Sequence, residues 1–245
     1  MRRKISIAAS MACADFRCLA NTIEVLEKAD VEVLHFDFCD GHFAPTFLFS
    51  PIILKSLRPI TSLRFDAHMY CQYPSRYIDE LESSGVDIII VQVEAKEDYR
   101  KAIQKICNKG LKAGVGILPE SSVPSNITDV LPKVSLIVPN TVAPAYYGQP
   151  FNRKGLANMK MISSLIRKYK YDIEIGADGG VGAKTLKDLL ESGANLLICG
   201  TTSIFGPDKN LNEEIEKIRE TAERYLSRQG HRSVSDEGFR IIRPN

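Results

Sequence analysis

Apolar and polar positions follow two alternating patterns along almost the whole chain. Short runs rich in Val, Ile and Leu, typical of buried β-strands, are each followed by a stretch with apolar residues at helical spacing. Strands are predicted at residues 5–9, 33–38, 63–68, 86–91, 112–118, 134–138, 173–177 and 196–199. Helices are predicted at residues 16–28, 51–57, 74–83, 96–108, 123–130, 153–169, 183–191 and 211–226.

Eight strand–helix pairs in strict alternation predict an α/β fold, a single-domain TIM (β/α)8 barrel. We expect residues 1–226 to form the barrel and the polar residues 227–245 to form a C-terminal extension. A doubly wound open sheet is the alternative. That fold usually has a Gly-x-Gly-x-x-Gly turn after its first strand, and residues 8–12 read Ala-Ala-Ser-Met-Ala instead.

Composition narrows the classes of partner. The formal net charge of the 245 residues is +2, which argues against nucleic acid as the main partner. No apolar run is long enough to cross a membrane, and the basic N-terminus is followed by no convincing signal peptide. The six cysteines have no metal-binding spacing. We therefore expect a cytoplasmic protein with reduced thiols.

The second predicted strand carries chemistry on one face only. Alternation places Leu34, Phe36 and Phe38 on one side, where helices would cover them. His35 and Asp37 then point into the barrel. Because buried imidazole and carboxylate groups are costly unless a metal, a proton or hydrogen bonds satisfy them, this pair predicts a functional site.

Polar residues recur where other predicted strands end, and these ends share one mouth in a TIM barrel. They are Ser10, His35, Asp37, Asp66, His68, Asp178, Gly200 and Thr201. A single interior histidine is more often a hydrogen-bonded core residue, but several strands that present His or Asp at one height indicate a shared site. Imidazole and carboxylate ligands suit a divalent cation such as zinc, iron, manganese or cobalt.

Glycines follow the last two predicted strands, at Gly179-Gly180 and at Gly200-Thr201. Loops at these places commonly bind phosphate in this fold, since glycine lets backbone N–H groups approach an anion. An ordinary Gly-Gly turn is the alternative interpretation. The pairing of the two loops favours a phosphate site.

The motifs together resemble the ribulose-phosphate 3-epimerase family, from about residue 5 to about residue 218. The segment with the highest specificity is His35-Phe36-Asp37-Phe38-Cys39-Asp40-Gly41-His42-Phe43, and the others are residues 10–16, 66–68, 93–95, 148–149, 178–180 and 200–201. The resemblance implies a TIM barrel of the ribulose-phosphate-binding type, a small-molecule sugar-phosphate substrate and a homo-oligomer.

The resemblance also implies roles for individual residues. One divalent metal ion would be held by His35, Asp37, His68 and Asp178, with Asp37 and Asp178 as the catalytic acid–base pair. The implied substrate contacts are Ser10, His68, Tyr146, Tyr147, Gly148, Gly179, Gly180, Gly200 and Thr201. Two carboxylates on opposite faces of a ketose phosphate would invert C3 through an enediolate, whose negative charge the metal stabilises.

Several positions depart from the pattern of that family. Cys39, Tyr70 and Asn140 stand where methionines usually cap the metal site, and Gln92 replaces a histidine. The loop at 144–149 keeps one of the usual glycines. Segments 49–51, 148–151 and 200–205 favour the allulose-6-phosphate 3-epimerase branch over the ribulose 5-phosphate enzymes.

Other functions stay open from the sequence. The barrel could act on a different or non-phosphorylated sugar, or bind a sugar phosphate without catalysis. Two opposed carboxylates argue against the non-catalytic alternative, because a binding module does not need them. A Schiff-base aldolase would need a lysine inside the barrel near a strand end, and Lys112 lies at the start of its predicted strand.

Overall fold

The fold is a closed barrel of eight parallel strands in sequential order, as predicted. The computed structural model describes residues 4–144 and 148–236. Each strand pairs with its neighbours in the chain, and the first strand also pairs with the last. The strands are β1 (Ser6–Ser10), β2 (Val33–Cys39), β3 (Arg64–Tyr70), β4 (Ile88–Gln92), β5 (Lys112–Ile117), β6 (Val134–Pro139), β7 (Glu174–Asp178) and β8 (Leu196–Cys199).

Helices connect the strands around the outside of the barrel. They are α1 (Leu19–Lys28), α2 (Pro51–Leu57), α3 (Ile78–Ser83), α4 (Tyr99–Asn108), α5 (Lys154–Tyr169), α6 (Leu186–Ser192) and α7 (Leu211–Asp236). No helix in the described part of the chain is long and apolar enough to span a membrane.

Two helix predictions differ most from the structure. The helix predicted at 123–130 is replaced by two 3-10 helices, Ile127–Asp129 and Leu131–Lys133. Pro124 and Pro132 flank and interrupt this segment, and proline removes a helical hydrogen-bond donor. The last helix continues to Asp236 rather than ending at 226. Its apolar stripe stops near Leu226, but backbone hydrogen bonding in a helix does not require apolar side chains.

The alternation predicted for β2 divides its side chains between two cores. Leu34, Phe36 and Phe38 are buried in the core between the barrel and the helices. A smaller apolar cluster fills the inside of the barrel: Ala8, Val33, Ile88, Ile90, Leu136, Val138, Leu196 and Ile198. This inner cluster leaves the carboxyl ends of the strands free for polar side chains.

The turn after β2 is fixed by Asp40. Its Oδ1 accepts hydrogen bonds from the backbone N–H groups of His42 (2.9 Å) and Phe43 (2.7 Å). Its Oδ2 accepts from the N–H of Gln72, beyond β3, at 2.8 Å. Gly41 has a φ of +71°, and a β-carbon there would meet the Phe47 ring at 2.6 Å. The Asp-Gly-His part of the motif is therefore loop architecture that sets the ends of β2 and β3.

Candidate active site

Four side chains from three strands converge at the barrel mouth: His35, Asp37, His68 and Asp178. Parallel pairing of β2 with β3 places Asp37 opposite His68. One ligand atom of each residue lies within 4.8 Å of those of the others. Nε2 of His35 is 3.3 Å from Oδ1 of Asp37 and 3.3 Å from Nδ1 of His68. Nδ1 of His68 is 3.4 Å from Oδ2 of Asp178.

The donor atoms of this cluster fit a divalent cation. Both histidines are fully buried, and each aspartate is largely buried. Oδ1 of Asp37 has no hydrogen-bond partner among the described residues, although buried carboxylate oxygens normally have one. Two imidazole nitrogens and two carboxylate oxygens are a suitable ligand set for zinc and for other first-row divalent metals.

Electrostatics inside the cluster favour bound positive charge. Burial alone would lower the pKa of His35, but the charge of the adjacent Asp37 carboxylate raises that pKa to about 9. Burial would raise the pKa of Asp178, yet a hydrogen bond from His68 and the charge of His35 hold it below its usual value. A proton and a metal cation therefore compete for this site.

Each aspartate presents its two oxygens to different surroundings. Oδ1 of Asp37 faces the imidazoles, and its Oδ2 accepts a hydrogen bond from Oγ of Ser10 at 3.4 Å. All the hydrogen bonds that the Asp178 carboxylate accepts from described side chains reach Oδ2. Both carboxylates line the cavity above the cluster. One oxygen of each is thus oriented for ligation, and the other is available to a molecule in the cavity.

The cavity above the cluster has a volume of about 450 Å³, within the usual range for small-molecule sites. Most of the predicted substrate contacts line it: Ser10, Gly148, Gly179, Gly180, Gly200 and Thr201. His68 does not; it is fully buried behind the cavity, with its ring 4.3 Å from that of Tyr70. Tyr146 and Tyr147 lie outside the described residues.

The glycine loops form the side of the cavity that follows β7 and β8. Gly179 and Gly180 have φ angles of +100° and +63°, and a β-carbon on Gly179 would meet Val142 at 2.3 Å. Gly179 continues the pairing of β7 with β8, whereas the N–H of Gly180 has no backbone partner within residues 4–144 and 148–236. Next to them, Lys209 holds the β8 loop by donating to the carbonyls of Thr201 and Ser203. The loop after β7 therefore has one backbone N–H, that of Gly180, available where an anion is expected.

Sequence reasoning misplaced one residue and assigned no role to three others. Asp66 lies below the mouth and pairs with Arg64, whose Nε is 3.1 Å from its Oδ1. The sequence feature that could have indicated this ion pair is the arginine two residues earlier, which lies on the same face of the strand. Tyr70, Gln92 and Asn140 are buried at the cluster and join it by hydrogen bonds. Their proximity depends on strands far apart in the chain, which spacing alone does not reveal.

Comparisons with known proteins agree with this geometry. The model of the ribulose-phosphate 3 epimerase family matches residues 6–205. Ribulose-phosphate 3-epimerase of Bacillus subtilis is 36% identical over 216 residues, covering 88% of this chain and 98% of the relative. The cytoplasmic isoform from Oryza sativa subsp. japonica is 31% identical, covering 89% of this chain and 94% of the relative.

Solved structures give the same fold at low sequence identity. The 3-hexulose-6-phosphate synthase of Salmonella typhimurium is similar, with a TM-score of 0.62 and 15% identity, over 90% of this chain and 100% of the other. At that identity the likeness supports the barrel alone. The sequence relatives confirm the resemblance that the motifs indicated, including the prediction of an isomerase.

Proposed function

This chain belongs to the ribulose-phosphate 3-epimerase family, and we propose that it inverts C3 of a ketose phosphate by proton transfer between two aspartates. The observation that carries the proposal is the placement of Asp37 and Asp178. Both line one cavity, each with one oxygen directed to the imidazoles. As the relatives are named ribulose-phosphate 3-epimerases, we take the pentulose pair ribulose 5-phosphate and xylulose 5-phosphate as the first candidate substrates.

In the proposed reaction, one aspartate removes the C3 proton and the other returns a proton to the opposite face. The acidity of that proton comes from the neighbouring carbonyl, and its loss gives an enediolate. The two carboxylates exchange roles in the reverse direction, so both epimers are substrates. Ser10 donates to Asp37 and borders the cavity, where its hydroxyl can hold that carboxylate and contact the sugar.

A divalent cation held by His35, Asp37, His68 and Asp178 would stabilise the negative charge that develops on the substrate oxygens. The protein contributes to this stabilisation by preorganisation, because the four candidate ligand atoms already lie within 4.8 Å of one another. The arrangement of the ligands around Asp37 and Asp178 determines which of the two carries the proton in the resting enzyme.

The substrate phosphate would occupy the glycine side of the cavity. Gly179 and Gly180 line this side, the N–H of Gly180 is available to donate, and Gly200 and Thr201 form the adjoining wall. Gly148 borders the same cavity from the loop after β6. A hexulose 6-phosphate is the second candidate. Polar Tyr70 and Asn140, close to the catalytic cluster, replace the apolar cap usual in the family and favour a substrate with altered hydroxyl positions.

An activity screen in deuterated water tests the proposal. The substrates are ribulose 5-phosphate, xylulose 5-phosphate, allulose 6-phosphate, fructose 6-phosphate and the corresponding free ketoses. We expect a phosphorylated ketose to exchange its C3 proton for deuterium, with formation of its epimer, by NMR. Preference for free sugars would contradict the phosphate site but leave the two-aspartate chemistry standing. No exchange with any of these ketoses would contradict both.

A further inference from the structure

Three uncharged polar side chains are buried beside Asp178, and one of them, Tyr70, also borders the cavity. Tyr70 ends β3, Gln92 ends β4, and Asn140 follows β6. Gln92 and Asn140 are 0% and 1% exposed, and Tyr70 is 3% exposed. Burial of amide and hydroxyl groups is unfavourable unless they form hydrogen bonds, so the contacts of these residues reveal what they stabilise.

Two of these residues converge on one oxygen of Asp178. The Tyr70 hydroxyl donates to Oδ2 at 2.9 Å, and Nδ2 of Asn140 donates to the same oxygen at 2.8 Å. Nδ2 of Asn140 also donates to the Tyr70 hydroxyl at 2.6 Å, which links the two donors to each other. Rotation of the Asp178 carboxylate would break both bonds to Oδ2. Asp178 lines the cavity, and the carboxylate oxygen without these donors is its Oδ1.

Gln92 extends this network to the second histidine. Its Nε2 donates to Oδ1 of Asn140 at 3.1 Å and lies 2.8 Å from Nε2 of His68. Oε1 of Gln92 is buried without a partner among the described residues. The network therefore reaches two of the four candidate ligands from outside the cluster.

We propose that Tyr70 and Asn140 are positioning residues, which orient Asp178 for metal binding through Oδ2 and for proton transfer through Oδ1. The part of this inference that concerns proton transfer rests on the proposed function. The part that concerns metal binding does not. Methionine, expected at both positions from the resemblance, offers no such donor. Hydrogen-bond partners of metal ligands typically contribute 10- to 100-fold to metal affinity or activity, and we expect effects of that size here.

The first variant is Tyr70→Phe, which removes only the hydroxyl. Tyr99→Phe is the matched control, because Tyr99 is also buried and its hydroxyl donates to Oδ1 of Asn126 at 2.7 Å, away from the cavity. Metal-free protein is titrated with Co²⁺, whose visible absorption reports the ligand set. We expect Tyr70→Phe to weaken Co²⁺ binding about 10-fold or more and to alter the absorption bands, and Tyr99→Phe to match the wild type.

Steady-state kinetics supply the second readout. For Tyr70→Phe we expect kcat to fall by about 10- to 100-fold with a smaller change in KM, since the variant acts through Asp178. Asn140→Leu removes the second donor to Asp178 and leaves a side chain of similar shape. It provides the same test if Tyr70→Phe does not fold. In Tyr70→Phe/Asn140→Leu the two losses should be less than additive, because both residues act on one oxygen.

Wild-type Co²⁺ affinity in both single variants would overturn the inference, and so would wild-type kcat in both. If the wild-type protein epimerised no ketose phosphate, the proposed function would fail, and the Co²⁺ titration alone would then decide whether Tyr70 and Asn140 position Asp178.

Discussion

The inside of the barrel holds two clusters of charged side chains, one at each end of the same strands. At the lower end, Arg64 pairs with Asp66 at 3.1 Å and with Glu174 at 2.6 Å. At the mouth, β3 and β7 contribute His68 and Asp178 to the catalytic cluster. Both clusters are largely buried, but only the lower one includes a guanidinium, which is always charged.

This difference separates a structural ion pair from a binding site. Asp66 is fully buried, and burial raises its pKa to about 6 even though Arg64 opposes the shift. Its counter-ion nevertheless belongs to the chain. The mouth cluster has two carboxylates, no lysine or arginine among its ligands, and a histidine whose pKa is raised to about 9 by the Asp37 carboxylate. It must therefore take its positive charge from a proton or from a bound metal.

The largest expected effect comes from Asp178→Asn. This change removes a proton acceptor and a metal ligand with almost no change in volume, so epimerisation and C3 exchange should fall by about 10³-fold or more. The measurement is wash-in of deuterium at C3 by NMR. Glu174→Gln is the matched control on the same strand, because it makes the same chemical change at the lower cluster.

Glu174→Gln should keep its activity per folded molecule and change only stability, measured by thermal unfolding. Exchange at the wild-type rate in Asp178→Asn would remove Asp178 from the mechanism. Equal losses of activity in both variants would mean that the two clusters do not differ in function.

Removal of metal should affect the mouth alone. The purified protein is expected to contain about one divalent ion per chain. At a metal concentration 100 times the Kd, binding stabilises a protein by about 2.7 kcal/mol, which raises the Tm of a chain this size by roughly 5–10 °C. Chelation should therefore lower both activity and Tm, and added metal should restore both.

The pH dependence of metal binding follows from His35. Ligation requires the neutral imidazole, but its pKa is raised to about 9 in the absence of a cation. A proton must be displaced at any pH below that value, so metal affinity should fall as the pH is lowered from 9, which a Co²⁺ titration measures. Full activity in metal-free protein would contradict the metal assignment.

The sequence was sufficient for the barrel and for the four residues of the cluster. Period-two alternation in β2 and the β2–β3 register bring His35, Asp37 and His68 together by local rules. The hydrogen bonds of Tyr70, Gln92 and Asn140 were not predictable in this way, because they join β3, β4, β6 and β7 through side-chain directions. The cytoplasmic location, the homo-oligomer and the domain boundary at 226 stay predictions.

The smallest expected effect concerns the lower cluster. Arg64→Met removes the cation beside Asp66 and leaves a buried carboxylate uncompensated. Because the pKa of that carboxyl is already about 6, its protonation limits the charge-dependent loss of folding free energy at pH 7 to about 1.4 kcal/mol. We expect this loss at pH 7 in urea unfolding, with metal content and kcat unchanged. Arg64→Met/Asp66→Leu, which removes both charges, should recover most of the stability.

The pH dependence of that loss is the sharpest test of the comparison. The pKa of Asp66, raised to about 6 in the folded protein against 3.8 when unfolded, should rise further without Arg64. A raised carboxyl pKa means that the folded state binds the proton first, so stability falls as pH increases through the folded pKa. Relative to wild type, Arg64→Met should therefore be more destabilised at pH 7 than at pH 5, where Asp66 is protonated in both folded proteins. In Arg64→Met/Asp66→Leu this difference should be absent, since the titrating group is gone. A deficit in Arg64→Met that is the same at pH 5 and pH 7 would show that Arg64 stabilises the barrel by packing rather than by its charge.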